Sequence, residues 1–185
     1  MKLEEVVLQQ DPKEVSYQIF CDLDGVLANF KKEMHRVLGS FGDTVQYSDD
    51  EYARDPKYRK RMWTSIGEYQ KVHGPVIWRN LELLPDAMEL WNYIKDKNTQ
   101  ILTASGQDKY DAKQQKRAWV TEHLGSAVRI NFVVAGPLKA QYAGPHNILI
   151  DDQARNIGPF NQAGGIGILH TSAASTIAKL KELGT

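Results

Sequence analysis

The feature that most constrains this chain is a series of short, continuously apolar runs separated by helical patterns. The runs predict strands at 17–22, 100–104, 129–134, 147–151 and 165–169. An unbroken rather than alternating apolar run favours a strand that is buried on both faces, as in a parallel sheet. Helical periodicity between the runs indicates helices over 86–97, 108–124 and 173–183. This alternation predicts an α/β fold, a doubly wound parallel sheet with helices on both faces.

One interval, from residue 29 to residue 84, breaks this alternation. It contains helical patterns rich in aromatic and basic residues, without a good strand. Such a stretch is too long for an ordinary connection between two elements of a compact domain. We therefore predict a core made of residues 1–28 and 85–185, with a small helical cap subdomain, residues 29–84, inserted after the first strand.

Composition limits the class of function. The chain has 185 residues, of which 42% are hydrophobic, and its 23 basic and 23 acidic side chains balance. This balance gives no strong case for binding to polynucleotides. No apolar run reaches the ~18 residues that span a bilayer, and the acidic N-terminal stretch does not resemble a signal peptide. The single cysteine, Cys21, suits a reducing compartment, so we expect a cytoplasmic protein with no membrane partner.

Polar side chains stand where the predicted strands end, and ligands bind outside the carboxyl ends of strands in an open α/β sheet. These residues are Asp22, Asp24, Thr103, Ser105, Lys139, Asp151 and Asp152. Each has a structural explanation when taken alone, such as a turn, a solvated loop or a helix cap. Together they would bring several carboxylates to one place, and a hard divalent cation such as Mg²⁺ relieves the resulting repulsion and bridges to phosphate. Their order therefore favours a Mg²⁺ site that acts on a phosphorylated substrate.

The stretches FCDLDGVL, ILTAS, Lys139 and ILIDD resemble, in order, the four motifs of the haloacid dehalogenase (HAD) superfamily of phosphotransferases, which have a Rossmann-like fold. Within it, DLDGVLANF, KRAWVTEHLG and LIDD are similar to the 5'(3')-deoxyribonucleotidases and their phage and bacterial relatives. The resemblance implies a Mg²⁺-dependent phosphoric monoester hydrolase that forms an aspartyl-phosphate and dephosphorylates (deoxy)nucleoside monophosphates. A phosphatase of sugars or other small metabolites, and a 3'-phosphatase acting on nucleic-acid ends, remain alternatives.

The same resemblance implies roles for individual residues. Asp22 would be the nucleophile and Asp24 the general acid/base. Phosphate would be bound by Thr103, Ala104 and Lys139. The metal would be bound by Asp22, the backbone carbonyl of Asp24, Asp151 and Asp152. Lys116 is a second candidate for the lysine of the motif, but Lys139 is preferred because the family's lysine shortly precedes the final acidic strand. Ala104 departs from the nucleotidases, which have serine there, so a hydroxyl contact is lost.

The chemistry explains why two aspartates would stand two positions apart. Hydrolysis of a phosphate monoester needs rate enhancements of up to ~10²¹-fold, which no single group supplies. A carboxylate that attacks a dianionic phosphate needs cationic charge to offset the repulsion, here from Mg²⁺ and Lys139. A second carboxyl then protonates the leaving alcohol and activates water. Asp22 therefore attacks, and Asp24 transfers protons.

Aromatic residues of the inserted interval are expected to recognise the substrate. Phe30 follows Asp22 by eight residues, and the resemblance places a base-stacking aromatic there. Trp63 and Trp78 are further candidates for substrate binding. The alternative is that these rings form the core of the cap itself. Two other classes fit less well: a receiver-type signalling module has its acidic pair first rather than last, and a binding-only relative would have lost some of the motif residues.

Overall fold

Five parallel strands form one sheet in the order β3-β2-β1-β4-β5. They are β1 (Gln18–Cys21), β2 (Thr99–Ala104), β3 (Ile130–Val133), β4 (Asn147–Asp151) and β5 (Ile166–Leu169). The structure is a computed structural model that describes residues 16–42, 47–108 and 110–185, with the side chains of residues 49–50 excepted. The acidic N-terminal stretch discussed above lies outside the described residues. All five strands predicted from the apolar runs are confirmed.

In the described part of the chain, six α-helices and one 3₁₀ helix connect the strands, and a seventh α-helix follows β5. They are α1 (Phe30–Gly39), α2 (Asp49–Arg54), α3 (Pro56–His73), α4 (Ala87–Ile94), α5 (Ala112–His123), the 3₁₀ helix Gly136–Tyr142, α6 (Ala154–Gln162) and α7 (Ala173–Glu182). None of the helices in the described ranges is long and apolar enough to cross a bilayer.

The helix predicted over 108–124 begins later than its periodicity suggested. Asp108 and Asp111 have φ angles of 57° and 53°, a left-handed conformation that interrupts a right-handed helix. The Asp108 side chain instead accepts a hydrogen bond from the Lys113 amide at 2.9 Å, so it satisfies one of the free donors of the first turn. At the other end, Gly125 adopts a φ of 115° and follows the helix as predicted.

Burial on both faces of the sheet explains the unbroken apolar runs. On one face, Ile19, Ile101 and Ile148 pack into the larger hydrophobic cluster, which also includes Leu90 of α4. On the other face, a smaller cluster joins neighbouring strand residues to α6, and its buried members are Phe20, Leu102, Val133, Leu149, Ile157 and Phe160. Successive strand residues therefore face opposite layers, and both layers are apolar.

The inserted interval is helical, as predicted. Between residues 29 and 84 the described chain forms α1, α2 and α3, with an isolated bridge between Ala28 and Leu83 at its base. The Leu84 amide also donates to the Leu27 carbonyl at 2.9 Å, so the two connections between core and insert run side by side. The boundaries of the cap subdomain at residues 29 and 84 stay a prediction.

A buried indole of α5, that of Trp119, contacts the segment that leads from the insert back to the core. Trp119 has no exposed surface, and its Nε1–H donates to the Leu81 carbonyl at 2.7 Å. A buried backbone carbonyl that loses its donor carries the full cost of its desolvation. Trp119 therefore contributes both packing and a hydrogen bond, and a phenylalanine ring at this position would contribute only the packing.

We expect Trp119→Phe to lower the free energy of unfolding by about 2–3 kcal/mol, because it removes this hydrogen bond as well as buried volume. Trp91→Phe is the matched control: Trp91 is 4% exposed, and its indole makes no hydrogen bond to a described residue. The control should cost about 1 kcal/mol from packing alone. Urea denaturation of both variants measures the difference, and equal losses would contradict a role for the Leu81 contact.

Candidate active site

The loop that follows β1 is closed by its own backbone and shaped by one glycine. The Leu27 amide donates to the Leu23 carbonyl at 2.9 Å, and the Gly25 amide donates to the Ala28 carbonyl at 2.9 Å. Gly25 has a φ of 82°, and a Cβ there would collide with the carboxylate of Asp152. Only glycine meets both conditions without strain. The tight turn thereby brings the first and the last acidic motifs together.

Lys139 lies at the centre of the acidic residues. It is carried by the 3₁₀ helix, is 1% exposed, and its Nζ lies 2.7 Å from Asp22 Oδ2 and 2.6 Å from Asp151 Oδ2. Burial alone would lower the pKa of Lys139, but the charges of Asp22 and Asp151 outweigh it and raise that pKa above the usual range. The ammonium group is therefore permanently charged between the two carboxylates.

Asp151 is the most enclosed of the acids. It has no exposed surface, and its Oδ1 accepts hydrogen bonds from the Gln153 amide and from Asn156 Nδ2, both at 2.9 Å. Burial raises the pKa of Asp151, and the neighbouring Lys139 offsets part of that rise. With both oxygens engaged, this carboxylate holds Lys139 in place.

Lys116 is a second buried lysine, and it forms an ion pair with Asp24. The side chain projects from α5 and is 1% exposed. Its Nζ donates to Asp24 Oδ2 at 2.6 Å, to Thr103 Oγ1 at 2.9 Å and to the Ala104 carbonyl at 2.7 Å. Burial raises the pKa of Asp24, and the charge of Lys116 opposes the rise. From the sequence, Lys116 and Lys139 were alternative candidates for one motif lysine. In the structure both lie beside the acidic residues, Lys116 against Asp24 and Lys139 against Asp22 and Asp151.

The last two residues of β2 supply one hydroxyl and one carbonyl oxygen to Lys116. Thr103 has no exposed surface and its hydroxyl accepts from Lys116. Ala104 presents a carbonyl to the same lysine. The Ser105 hydroxyl lines the cavity and lies 3.5 Å from the carbonyl oxygens of Gly106 and Val133, at the limit of a hydrogen bond.

The acidic residues fit a divalent cation. Asp22, Asp151 and Asp152 each offer a carboxylate oxygen, and these oxygens lie within 4.8 Å of one another. Asp24 Oδ1 is buried and accepts no hydrogen bond from a described residue. Oxygen atoms at this spacing are the donors that Mg²⁺ takes in proteins. Three of the four predicted metal ligands, Asp22, Asp151 and Asp152, are thus brought together. Their binding of metal, and that of the Asp24 backbone carbonyl, stays a prediction.

A cavity of about 590 Å³ opens from Asp22 and Asp24 towards the inserted helices. Phe30, Trp63 and Trp78, the three aromatics expected at the substrate, all line it. So do four residues that sequence reasoning did not select, Tyr47, Tyr52, Tyr110 and Arg155. Their contacts join distant parts of the chain, as when the Arg155 guanidinium of α6 lies 5.0 Å from the Tyr52 ring centroid of α2. Local sequence carries no signal for such pairs.

The model of the family described as "5' nucleotidase, deoxy (Pyrimidine), cytosolic type C protein" matches residues 16–179. In a comparison with curated protein sequences, none matches this chain.

Solved structures of hydrolases share the fold at low sequence identity. A haloacid dehalogenase-like family hydrolase from Xanthomonas campestris has a TM-score of 0.60 at 13% identity, with 94% of each chain covered. A hydrolase from Streptococcus pneumoniae TIGR4 has a TM-score of 0.51 at 16% identity, with 92% of this chain and 98% of that chain covered. A HAD family hydrolase from Deinococcus radiodurans R1, with bound phosphate and sodium, has a TM-score of 0.52 at 14% identity over 93% of this chain and 90% of that one. They support the α/β HAD fold.

We expect Lys116→Met to lower the free energy of unfolding by about 2–3 kcal/mol, less than the usual cost of breaking a buried pair because Asp24 can take up a proton. Turnover should fall about 10²-fold, since Asp24, Thr103 and Ala104 lose their common donor. Lys32→Met is the control, because Lys32 pairs with Glu82 at 2.7 Å and both side chains are more than 60% exposed.

The control should change stability by less than ~1 kcal/mol and leave turnover as it was. Chemical denaturation and phosphate-release assays on both variants measure these effects. Wild-type turnover in Lys116→Met would show that the Lys116 contacts do not matter for the reaction.

Proposed function

This chain belongs to the 5' nucleotidase, deoxy (pyrimidine), cytosolic type C protein family and is a HAD-type phosphatase, and we propose that it hydrolyses deoxynucleoside 5'-monophosphates with Mg²⁺ through an aspartyl-phosphate. The observation that carries this proposal is that two aspartate–lysine ion pairs and an aromatic lining occur at one cavity. Asp22 lies beside the buried Lys139, Asp24 lies beside the buried Lys116, and both aspartates open onto a chamber lined by aromatic rings.

In the first step Asp22 attacks the phosphorus of the substrate. The new bond forms between an Asp22 carboxylate oxygen and phosphorus, and the bond between phosphorus and the ester oxygen breaks. The electron pair stays on the departing sugar oxygen, which takes a proton from the carboxyl group of Asp24. Lys139, 2.7 Å from Asp22, supports the accumulating negative charge. The products are the nucleoside and a phosphorylated Asp22.

In the second step Asp24 acts in reverse. Its carboxylate takes a proton from a water molecule, and the water oxygen attacks the phosphorus of the acyl phosphate. The bond to Asp22 breaks and its electron pair returns to the carboxylate, so inorganic phosphate leaves and both aspartates are regenerated. One residue serves both steps because it is held by Lys116 within reach of the nucleophile but does not itself attack.

The metal, when bound, supplies positive charge against the phosphate oxygens and orients them for in-line attack. Asp22, the backbone carbonyl of Asp24 and Asp152 would hold it. Asp152 is the better of the two final aspartates for direct binding because it lines the cavity and packs against Gly25. Asp151 is fully buried and already shared between Lys139 and Asn156. We therefore assign Asp151 to positioning Lys139.

The walls of the cavity support a nucleotide rather than a bare sugar phosphate. Trp63 stacks near Trp78, with ring centroids 6.3 Å apart and an angle of 27° between the planes, and Phe30 meets Tyr47 edge-on at 5.6 Å. Aromatic surfaces stack with planar bases, which a sugar phosphate does not have. A screen of phosphate release over deoxynucleoside monophosphates, ribonucleotides and sugar phosphates tests this, and a preference for sugar phosphates would favour the small-metabolite alternative.

We expect Asp22→Asn to abolish hydrolysis, because the amide is a poor nucleophile, while its near-identical shape preserves the fold. Treatment of the wild type with EDTA should likewise remove activity, and added Mg²⁺ should restore it. Mass spectrometry of acid-quenched wild type should find one phosphoryl group on Asp22. Near-wild-type turnover in Asp22→Asn would overturn the nucleophile, and full activity in EDTA would overturn the metal requirement.

We expect Asp24→Asn to lose far more activity on a nucleotide than on an activated aryl phosphate in the first step. The aryl oxygen is a good leaving group and needs little protonation, so only the second step should be blocked. Stopped-flow measurement should then show a burst of phenolate followed by slow turnover, with phosphate retained on the protein. Equal losses on both substrates, with no burst, would argue against the acid role of Asp24.

A further inference from the structure

Tyr110 enters the aromatic wall of the cavity from the core rather than from the inserted helices. It lies in the connection between β2 and α5, seven residues after Thr103, and it lines the same cavity as the catalytic aspartates. Its ring is almost parallel to the Trp63 indole, with centroids 6.0 Å apart and an interplanar angle of 9°. Tyr110, Trp63 and Trp78 therefore form a row of rings along the cavity.

Three separate contacts fix the position of this tyrosine. Its hydroxyl donates to the Trp63 carbonyl at 3.0 Å, which joins it to α3. Its carbonyl accepts from Gln115 Nε2 at 2.8 Å and from Gln70 Nε2 at 3.2 Å. A Cβ at Gly67 would come within 3.1 Å of the Tyr110 ring, so the glycine of α3 leaves the space that the ring needs.

Gln115 connects these contacts to the rest of the wall. Its side chain is 3% exposed, its Oε1 accepts from the Trp78 amide at 2.9 Å, and its Nε2 donates to Gln70 as well as to Tyr110. A buried amide with these partners is satisfied at both ends and has one preferred orientation. Tyr110 and Trp78 are thus held by a single side chain of α5.

We propose that Tyr110 is a specificity-determining residue that selects the nucleoside part of the substrate. The proposal rests on the function proposed above. A flat ring that is held at both its hydroxyl and its backbone is a preorganised surface for a planar base, because little conformational entropy remains to be lost on binding.

The test compares Tyr110→Leu with the matched control Tyr93→Leu. Tyr93 is also half-buried and also donates its hydroxyl to a backbone carbonyl, that of Thr185 at 2.6 Å, but it lies on α4 and does not line the cavity. Both variants are assayed on deoxynucleoside 5'-monophosphates and on deoxyribose 5-phosphate, which has the sugar and phosphate without a base. Wild type is assayed on the same substrates.

For Tyr110→Leu, kcat/KM on the nucleotides should fall about tenfold or more, chiefly through KM, and on deoxyribose 5-phosphate by less than about threefold. Tyr110→Phe, which keeps the ring, should retain most of the preference for the nucleotides. Tyr93→Leu should retain all of it. Equal losses on both substrates, or an undiminished nucleotide preference in Tyr110→Leu, would overturn the inference.

The wild-type assay separates this inference from the proposed function. If the wild type does not prefer the nucleotides over deoxyribose 5-phosphate, the nucleotidase proposal fails, and Tyr110 has no base to select. If the wild type prefers the nucleotides and Tyr110→Leu does as well, the nucleotidase proposal stands and the role of Tyr110 fails. Melting temperatures, measured alongside, identify losses that come from unfolding.

Discussion

Two buried ammonium groups hold the acidic edge of this sheet together. Lys139 joins the end of β1 to the end of β4 through Asp22 and Asp151, and Lys116 joins the first loop to the end of β2 through Asp24 and Thr103. Like charges at this spacing would repel one another without such partners. When all are ionised, the carboxylates of Asp22, Asp24, Asp151 and Asp152 exceed the two lysines by two negative charges. That excess is the charge of one divalent cation.

A single helix connects this charged edge to the substrate chamber. Along α5, Gln115 contacts the Trp78 amide, Lys116 contacts Asp24, and Trp119 contacts Leu81 in the segment that returns from the insert. All three side chains are buried, and each forms a hydrogen bond with a group outside α5. Helices form rigid supports, and catalytic geometry depends on such support. A shift of α5 would therefore displace the Asp24 side chain and the Trp78 backbone together.

Sequence reasoning predicted the sheet better than the site. The five strands were found because burial on both faces leaves an unbroken apolar run, a signal that is local. The late start of α5 was missed because helical periodicity continues through Asp108 and Asp111, although both adopt left-handed backbone angles. Lys116 was recognised only as a substitute for Lys139, and Tyr110 was not selected at all. Lys116 and Tyr110 contact partners 92 and 47 residues away in the sequence, and no local pattern encodes such contacts.

The alanine at position 104 departs from the family pattern, yet it keeps a contact that does not depend on its side chain. What position 104 supplies to Lys116 is a carbonyl oxygen at 2.7 Å, and every residue has that group. The hydroxyl that Lys116 also requires comes from Thr103, which is fully buried and held by its strand. Substrate phosphate would then be held by the charge of Lys139 and of a bound cation rather than by a serine hydroxyl. Charge-assisted contacts of this kind are stronger than a neutral hydrogen bond, so we expect the missing serine hydroxyl to cost less than the loss of Lys139 would.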